Sequence, residues 1–215
     1  MISRLLARRQ LRDPTYAFLF DGNDGDEVVA FDTEVTSLNV ATAEILSIGA
    51  VRLCGNRIYA GEALELLLKP QGIISADSIK IHHLRHVDLQ HGLEPRVAIG
   101  RFLEFIGARP LVGYFLQIDI AMIEKYLRPW LGIGLPNRQI EISGLYHQYV
   151  SSRHPERAVD LRFESLVRDL ELPLFEVHNA RSDAIMTAMA YIKLKAERPR
   201  RWIAQRRVPF GYIGT

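Results

Sequence analysis

Apolar residues follow two patterns along this chain, one typical of strands in its first third and one typical of helices afterwards. Three early segments are rich in β-branched and apolar residues and read as strands, over residues 28–34, 44–53 and 57–68. Gly55 and Asn56 separate the last two segments and are suited to a hairpin turn. The pattern therefore predicts three consecutive antiparallel strands.

The rest of the chain spaces its apolar residues as one face of a helix requires. Helices are predicted over residues 96–107, 119–127, 160–170 and 180–196, with a short strand over 110–115. Asp119 is a suitable N-cap for the second helix, and Pro129 helps to end it. A hairpin followed by alternating helices and strands predicts an α/β fold, in which a mixed sheet is flanked by helices.

The composition is that of a folded protein, since 48% of the 215 residues are hydrophobic and 24% are charged. We expect an N-terminal extension (residues 1–27), a central domain (28–195) and a basic C-terminal tail (196–215). No apolar run approaches the ~18 residues of a membrane helix, so no membrane association is expected. The single cysteine, Cys54, excludes an intramolecular disulfide framework and favours a reducing, cytoplasmic setting.

The formal net charge of +2 conceals an uneven distribution. Residues 1–12 carry four Arg and no acid, and residues 193–207 carry seven basic residues and one acid, so the remainder is near −8. The basic ends could be solvated, or they could bind a polyanion through its phosphates.

Asp32 and Glu34 are two residues apart in an apolar strand, so both project from the same face. Two adjacent carboxylates repel each other unless a counter-charge is present. A divalent cation with oxygen ligands would supply that charge, whereas a strand end open to solvent would make it unnecessary.

Three further residues are candidates for chemistry. Asp119 stands between a strand and a helix, where it could act only as a cap. Asp183 lies among small residues on the last helix, where it could instead bond to a backbone group or an Arg. His178 precedes that helix, and a lone histidine there could be structural.

Two segments together carry a resemblance to a known family. Residues 31–38 (FDTEVTSL) and 178–184 (HNARSDA) resemble the first and third motifs of the DEDDh 3′–5′ exonucleases, in the branch typified by the proofreading epsilon subunit of bacterial DNA polymerase III. Residues 44–51 and 78–84 resemble two further family segments. The resemblance extends from about Val28 to about Lys195.

The resemblance implies an RNase H-like fold and metal-dependent hydrolysis of phosphodiesters from a 3′ end. It makes Asp32, Glu34, Asp119 and Asp183 ligands of two divalent ions, Mg²⁺ or Mn²⁺, and His178 the general base. It also assigns substrate contacts to a second set of residues, namely Thr33, Thr36, Leu38, Ile81 and His82. For Leu38 a plain core role is the alternative.

The second motif departs from the family pattern, in which a His-Asn pair precedes the aspartate by several residues. Tyr114 and Phe115 replace that pair here, while Asp119 is kept. We expect the metal site to survive and the surrounding hydrogen bonding to differ. A zinc site formed by His82, His83, His86 and His91 is not expected, because no Glu or Cys accompanies them in a metalloprotease pattern.

The leading hypothesis is an exonuclease on single-stranded or frayed DNA ends, with a role in proofreading or repair. A ribonuclease or oligonucleotide-trimming enzyme is the alternative within the same chemistry, and a catalytically weak interaction module is the alternative outside it. A polymerase subunit is suggested as partner by the family alone. The C-terminal tail could hold nucleic acid, dock on a protein or cover the neighbour in a homodimer.

Overall fold

A computed structural model describes residues 2–22, 25–175 and 179–197, and its centre is a mixed sheet. The strands are β1 (Glu27–Val35), β2 (Ile45–Cys54), β3 (Arg57–Ile58), β4 (Leu64–Leu67), β5 (Leu111–Gly113) and β6 (Gln139–Glu141). They lie in the order β3-β2-β1-β5-β6, and β4 also pairs with β2. β1 is antiparallel to β2 and parallel to β5, which confirms the predicted α/β mixed sheet.

Helices cover both faces of this sheet. They are α1 (Ile2–Gln10), α2 (Ala76–His82), α3 (His86–Leu89), α4 (Pro95–Ile106), α5 (Gln117–Leu131), α6 (Ile142–Arg153), α7 (Phe163–Asp169) and α8 (Ala180–Ala196). In the part of the chain that the structure describes, none of them is long and apolar enough to cross a membrane.

Residues of β1 alternate between two hydrophobic layers. Val29 and Phe31 belong to the layer under α4 and α5, and Val28 and Ala30 belong to the layer under α6, α7 and α8. Because both faces of this central strand are covered, residues 28–31 form a continuous apolar run. After Glu27 at its start, the next polar side chain on this strand is that of Asp32.

The third predicted strand, residues 57–68, is interrupted in the structure. A 3₁₀ turn at Ala60–Glu62 divides it into β3 and β4, which both pair with β2. The turn contains Ala and Gly, which are poor strand formers, so the backbone leaves the ladder there and returns at Leu64.

The predicted start and end of the second helix were wrong. α5 begins at Gln117 with Leu116 at its N-cap, and Pro129 lies inside the helix, which ends at Gly132 with φ +74°. Asp119 is therefore not the cap. Its side chain instead accepts hydrogen bonds from Thr33 on β1.

The segment that precedes β1 contributes to the core. Leu19 is fully buried and Phe20 nearly so, in the layer under α4 and α5. Tyr16 makes an edge contact with Trp130 at 5.0 Å between ring centroids. Arg12 donates to the Pro129 carbonyl at 2.9 Å and fastens this segment to the end of α5.

Candidate metal centre

The carboxylates of β1 lie near its end, on the face that α8 covers. Asp32 is opposite Gly49 and Glu34 is opposite Ser47 on the antiparallel neighbour β2. Glu34 has only 9% of its surface exposed and Asp32 is half-buried. Two acidic groups are therefore held on a rigid, doubly paired strand with limited access to water.

Asp183 reaches these carboxylates because α8 approaches the sheet unusually closely. A Cβ on Gly49 would lie 2.1 Å from the carbonyl carbon of Ala180, so only glycine permits this packing. Asn179 caps the helix by accepting from the Ser182 N–H at 3.0 Å. Ligand oxygens of Asp32, Glu34 and Asp183 consequently lie within 4.8 Å of one another.

Asp119 completes the acidic cluster from the other side of β1. Its Oδ1 accepts from the backbone N–H of Thr33 at 3.0 Å and from the Thr33 hydroxyl at 2.6 Å. The Asp119 carboxylate is 5% exposed and is close enough to Asp32 for its charge to raise the pKa of that group. Thr33, whose side chain projects from the face of β1 opposite to that of Asp32, thus holds one oxygen of Asp119 in place.

Burial and neighbouring negative charges raise the pKa values of three carboxylates in the cluster. The pKa of Asp32 is well above its usual range, because of burial first and then the charges of Asp119, Glu34 and Asp183. Burial, with the charges of Asp183 and Asp119, raises the pKa of Glu34 to about 7. Burial also raises the pKa of Asp119 to about 7, although the Thr33 hydrogen bonds oppose that change.

The acidic side chains of the cluster share one cleft with other acids. The cluster opens into a cleft of about 770 Å³, whose described lining holds six acids and neither Lys nor Arg. Oxygen ligands of this kind suit Mg²⁺ and Mn²⁺, and a bound cation would reverse the rise of the pKa values. The chemistry of the donor set therefore fits divalent metal ions.

A second wall of the cleft is aromatic, and beside Tyr114 and Phe115 it includes Phe163 and Glu141, which sequence reasoning did not single out. Tyr114 stacks at an angle on Phe115 (4.5 Å between centroids) and on Phe163 (4.9 Å). Glu141 of β6 accepts the N–H groups of Phe115 and Leu116. A three-residue strand such as β6 gives no periodic signal, so Glu141 could not have been identified beforehand.

The predicted substrate-contacting residues are divided by the structure. Thr33 and Leu38 line the cleft, and Leu38 is 74% exposed, so it is not a core residue. The hydroxyl of Thr36 accepts the Glu44 N–H at 3.0 Å, and the described cleft lining does not include it. Ile81 is exposed on α2, whereas the neighbouring His82 is buried and accepts the Leu84 N–H through Nδ1.

Several predicted features lie outside the described residues. They include His178, the proposed general base, and residues 198–215, which form most of the basic tail. Of the four clustered histidines, His82 and His86 each accept a backbone N–H through one ring nitrogen.

Comparison with known proteins gives consistent matches. The model of the exonuclease family RNase_T matches residues 29–191. The DNA polymerase III subunit epsilon of Aquifex aeolicus is 29% identical over 177 residues, covering 81% of this chain and 82% of that protein. The PolC-type DNA polymerase III of Caldanaerobacter subterraneus is 27% identical over 169 residues, covering 78% of this chain. The chain spans only 11% of that polymerase.

Solved structures share the fold at low sequence identity. E. coli exonuclease I in complex with a dA16 oligonucleotide has a TM-score of 0.68 at 15% identity, covering 81% of this chain and 42% of that one. Exonuclease X in complex with 5′-overhanging duplex DNA has a TM-score of 0.62 at 17% identity, covering 79% and 91%. The fold predicted from the sequence, an RNase H-like sheet flanked by helices, is thereby confirmed.

Proposed function

Because the chain belongs to the RNase_T exonuclease family, we propose that it removes nucleotides from the 3′ end of single-stranded or frayed DNA by metal-dependent hydrolysis. The observation that carries this proposal is the convergence of Asp32, Glu34 and Asp183 in one cleft beside Asp119, with no Lys or Arg in its described lining. Such a cluster is unfavourable without a bound cation, because its charges repel one another.

Asp32, Glu34, Asp119 and Asp183 would hold two divalent ions, Mg²⁺ or Mn²⁺. When bound, such ions supply Lewis acidity at the phosphate and lower the pKa of water. The protein's part is to fix the ligands. β1 orients Asp32 and Glu34, and Thr33 immobilises Asp119 through two hydrogen bonds.

His178 is the general base in this proposal. In the sequence it directly precedes Asn179, the N-cap of α8, and lies five residues before Asp183. A histidine titrates near neutrality and can accept a proton from the attacking water there. We expect His178→Ala to lower kcat far more than it raises KM, and His178→Gln to do the same. A rise in KM with kcat unchanged would instead indicate that His178 binds the substrate.

The test is an end-label assay. DNA and RNA oligonucleotides labelled at the 5′ end are incubated with Mg²⁺, with Mn²⁺ or with a chelator. A ladder that shortens by single nucleotides from the 3′ end, only with metal, supports the proposal. Faster cleavage of RNA than of DNA would favour the ribonuclease alternative, because RNA differs from DNA by its 2′-hydroxyl.

Two variants make the assay specific to the carboxylate cluster. Asp32→Asn keeps the side-chain shape and removes a charge, and we expect it to abolish cleavage. Asp77→Asn is the matched control, since the Asp77 side chain is 90% exposed on α2. Cleavage by Asp32→Asn at the parent rate would refute the metal assignment, and binding without cleavage by the parent would favour the interaction module.

A place in a replication complex is the broader proposal. Support comes from the epsilon relative, which aligns with this chain over four-fifths of both lengths. Co-purification of the protein with a polymerase catalytic subunit from its native host would test it, and a free protein at native expression would contradict it.

A further inference from the structure

Phe115 is an exposed aromatic residue in a backbone conformation that few residues adopt. It lies between β5 and α5 with φ +48°, in the left-handed region, and its side chain is 50% exposed. Bulky residues are rare in this region, whereas Gly and Asn occur there readily. A bulky apolar side chain is therefore displayed in the cleft at a conformational cost.

Glu141 maintains this display. Its Oε1 accepts the Phe115 N–H at 3.0 Å, and its Oε2 accepts the Leu116 N–H at 2.8 Å. The N–H and the hydroxyl of Ser143 also donate to Oε1, at 3.0 and 2.9 Å. Both oxygens of Glu141 thus hold the loop that carries Phe115.

A row of rings supports Phe115 from behind. Phe115 contacts Tyr114, and Tyr114 in turn contacts Phe163. The Tyr114 hydroxyl donates to the carbonyl of Leu161 at 2.5 Å. Tyr114 is anchored by this bond, so the ring of Phe115 rests on a fixed partner. All three rings line the same cleft as the carboxylates.

We propose that Phe115, which stands where the family pattern has a polar residue, is a stacking platform for a nucleobase near the 3′ end of a single strand. The inference rests on the proposed function, because the neighbouring carboxylates would engage the phosphate and leave the attached base to be held. A nucleobase fits this surface because its faces are flat, uncharged and able to stack on any aromatic ring. A paired base is already stacked in its duplex, so the platform selects unpaired ends.

The test measures binding, so that it does not depend on turnover. Every chain carries Asp32→Asn, and a fluorescent oligothymidylate is titrated by anisotropy with Mg²⁺ present. We expect Phe115→Ala to raise Kd about tenfold, within the range that alanine substitution gives for base–aromatic stacking. Phe115→Trp should retain the parent affinity. Val97→Ala, at an apolar residue of similar exposure on α4, is the matched control and should leave Kd unchanged.

The variant Phe115→Asn distinguishes the effect of the aromatic ring on binding from the effect of the left-handed backbone. Asn adopts the left-handed region readily but has no aromatic ring on which a base could stack. Weak binding by both the Asn and the Ala variants supports the platform. Parent-like binding by Phe115→Asn would overturn it, because the backbone and not the ring would then matter. Thermal unfolding of each variant confirms that it is folded.

Oligonucleotides with a single abasic site locate the base. If Phe115 stacks on one of the last three bases, loss of that base weakens the parent but has little further effect on Phe115→Ala. Equal losses in both proteins at all three positions would refute the inference. Absence of cleavage by the native chain, with this coupling intact, would instead refute the proposed function and leave the platform standing.

Discussion

In the absence of divalent metal ions, the stability of the folded protein should fall as the pH rises. Three carboxylates of the cluster, Asp32, Glu34 and Asp119, have raised pKa values, so the folded state favours their protonated forms. For Glu34 the pKa rises from 4.5 to about 7. The stabilisation from protonation is fully present below 4.5 and is lost as the pH rises through 7.

The size of the effect follows from that rise in pKa. Because each pKa unit corresponds to about 1.4 kcal/mol, the raised pKa of Glu34 alone accounts for about 3 kcal/mol of unfolding free energy. For a chain of this length that loss lowers Tm by about 6–12 °C. Asp32 and Asp119 change in the same direction, but they share one electrostatic field with Glu34, so their contributions do not simply add.

The measurement is urea or thermal unfolding in a chelator at about pH 5 and about pH 8, repeated with Mg²⁺ or Mn²⁺. Without metal the protein should be more stable at the lower pH, and metal should restore stability at the higher one. Glu34→Gln should flatten the dependence, whereas Glu104→Gln, at an exposed glutamate of α4, should leave it unchanged. A flat profile for the parent in chelator, or an equal slope in Glu34→Gln, would refute this reasoning.

Three substitutions test the supports of the site. Gly49→Ala should cost about 3 kcal/mol and abolish cleavage, because the new Cβ would force Ala180 and α8 away from β1; parent-like unfolding and activity would contradict the close contact. Thr33→Val should lower metal affinity and cost about 1.5–3 kcal/mol, since it removes a short bond to the Asp119 carboxylate, as calorimetric titration with Mn²⁺ and urea unfolding can measure. Leu19→Ala should lower stability by about 2–5 kcal/mol in urea while leaving kcat unchanged at low temperature, and no loss of stability would place that residue outside the core.

The sequence predicted the acidic pair because a period of two in a strand is a local property. Asp32 and Glu34 share a face whatever the rest of the chain does, and the structure confirms that they converge with Asp183. The proximity of Asp183 depends on a contact between Gly49 and Ala180, which are far apart in the chain. Only the resemblance to a family, not periodicity, could anticipate it.

The roles of Asp119 and Thr33 could not be separated by local reasoning. An aspartate after a strand suggests a cap, yet α5 begins two residues earlier, at Gln117, so that Asp119 lies within its first turn. This leaves Asp119 available to Thr33, which the resemblance had assigned to substrate. Glu141 belongs to a strand of three residues, too short for any pattern to show.

The N-terminal segment illustrates a different limit. Its Arg residues and the acidic turn after it indicate an appendage, but Leu19 and Phe20 are buried against the sheet. A seven-residue 3₁₀ segment has no strand or helix periodicity, so its apolar residues give no directional signal. Burial in such segments is decided by the shape of the surface on which they pack.

The distribution of the carboxylates along the chain also governs when the site can exist. β1 supplies two of them, α5 supplies one and α8 the last, so the cluster joins segments separated by about 150 residues of sequence. A partly folded molecule in which β1, β5 and α5 have assembled still lacks Asp183, because α8 has not docked against Gly49. If the cluster is the site of hydrolysis as proposed, docking of this one helix completes it, and a chain in which α8 is undocked should not cleave nucleic acid.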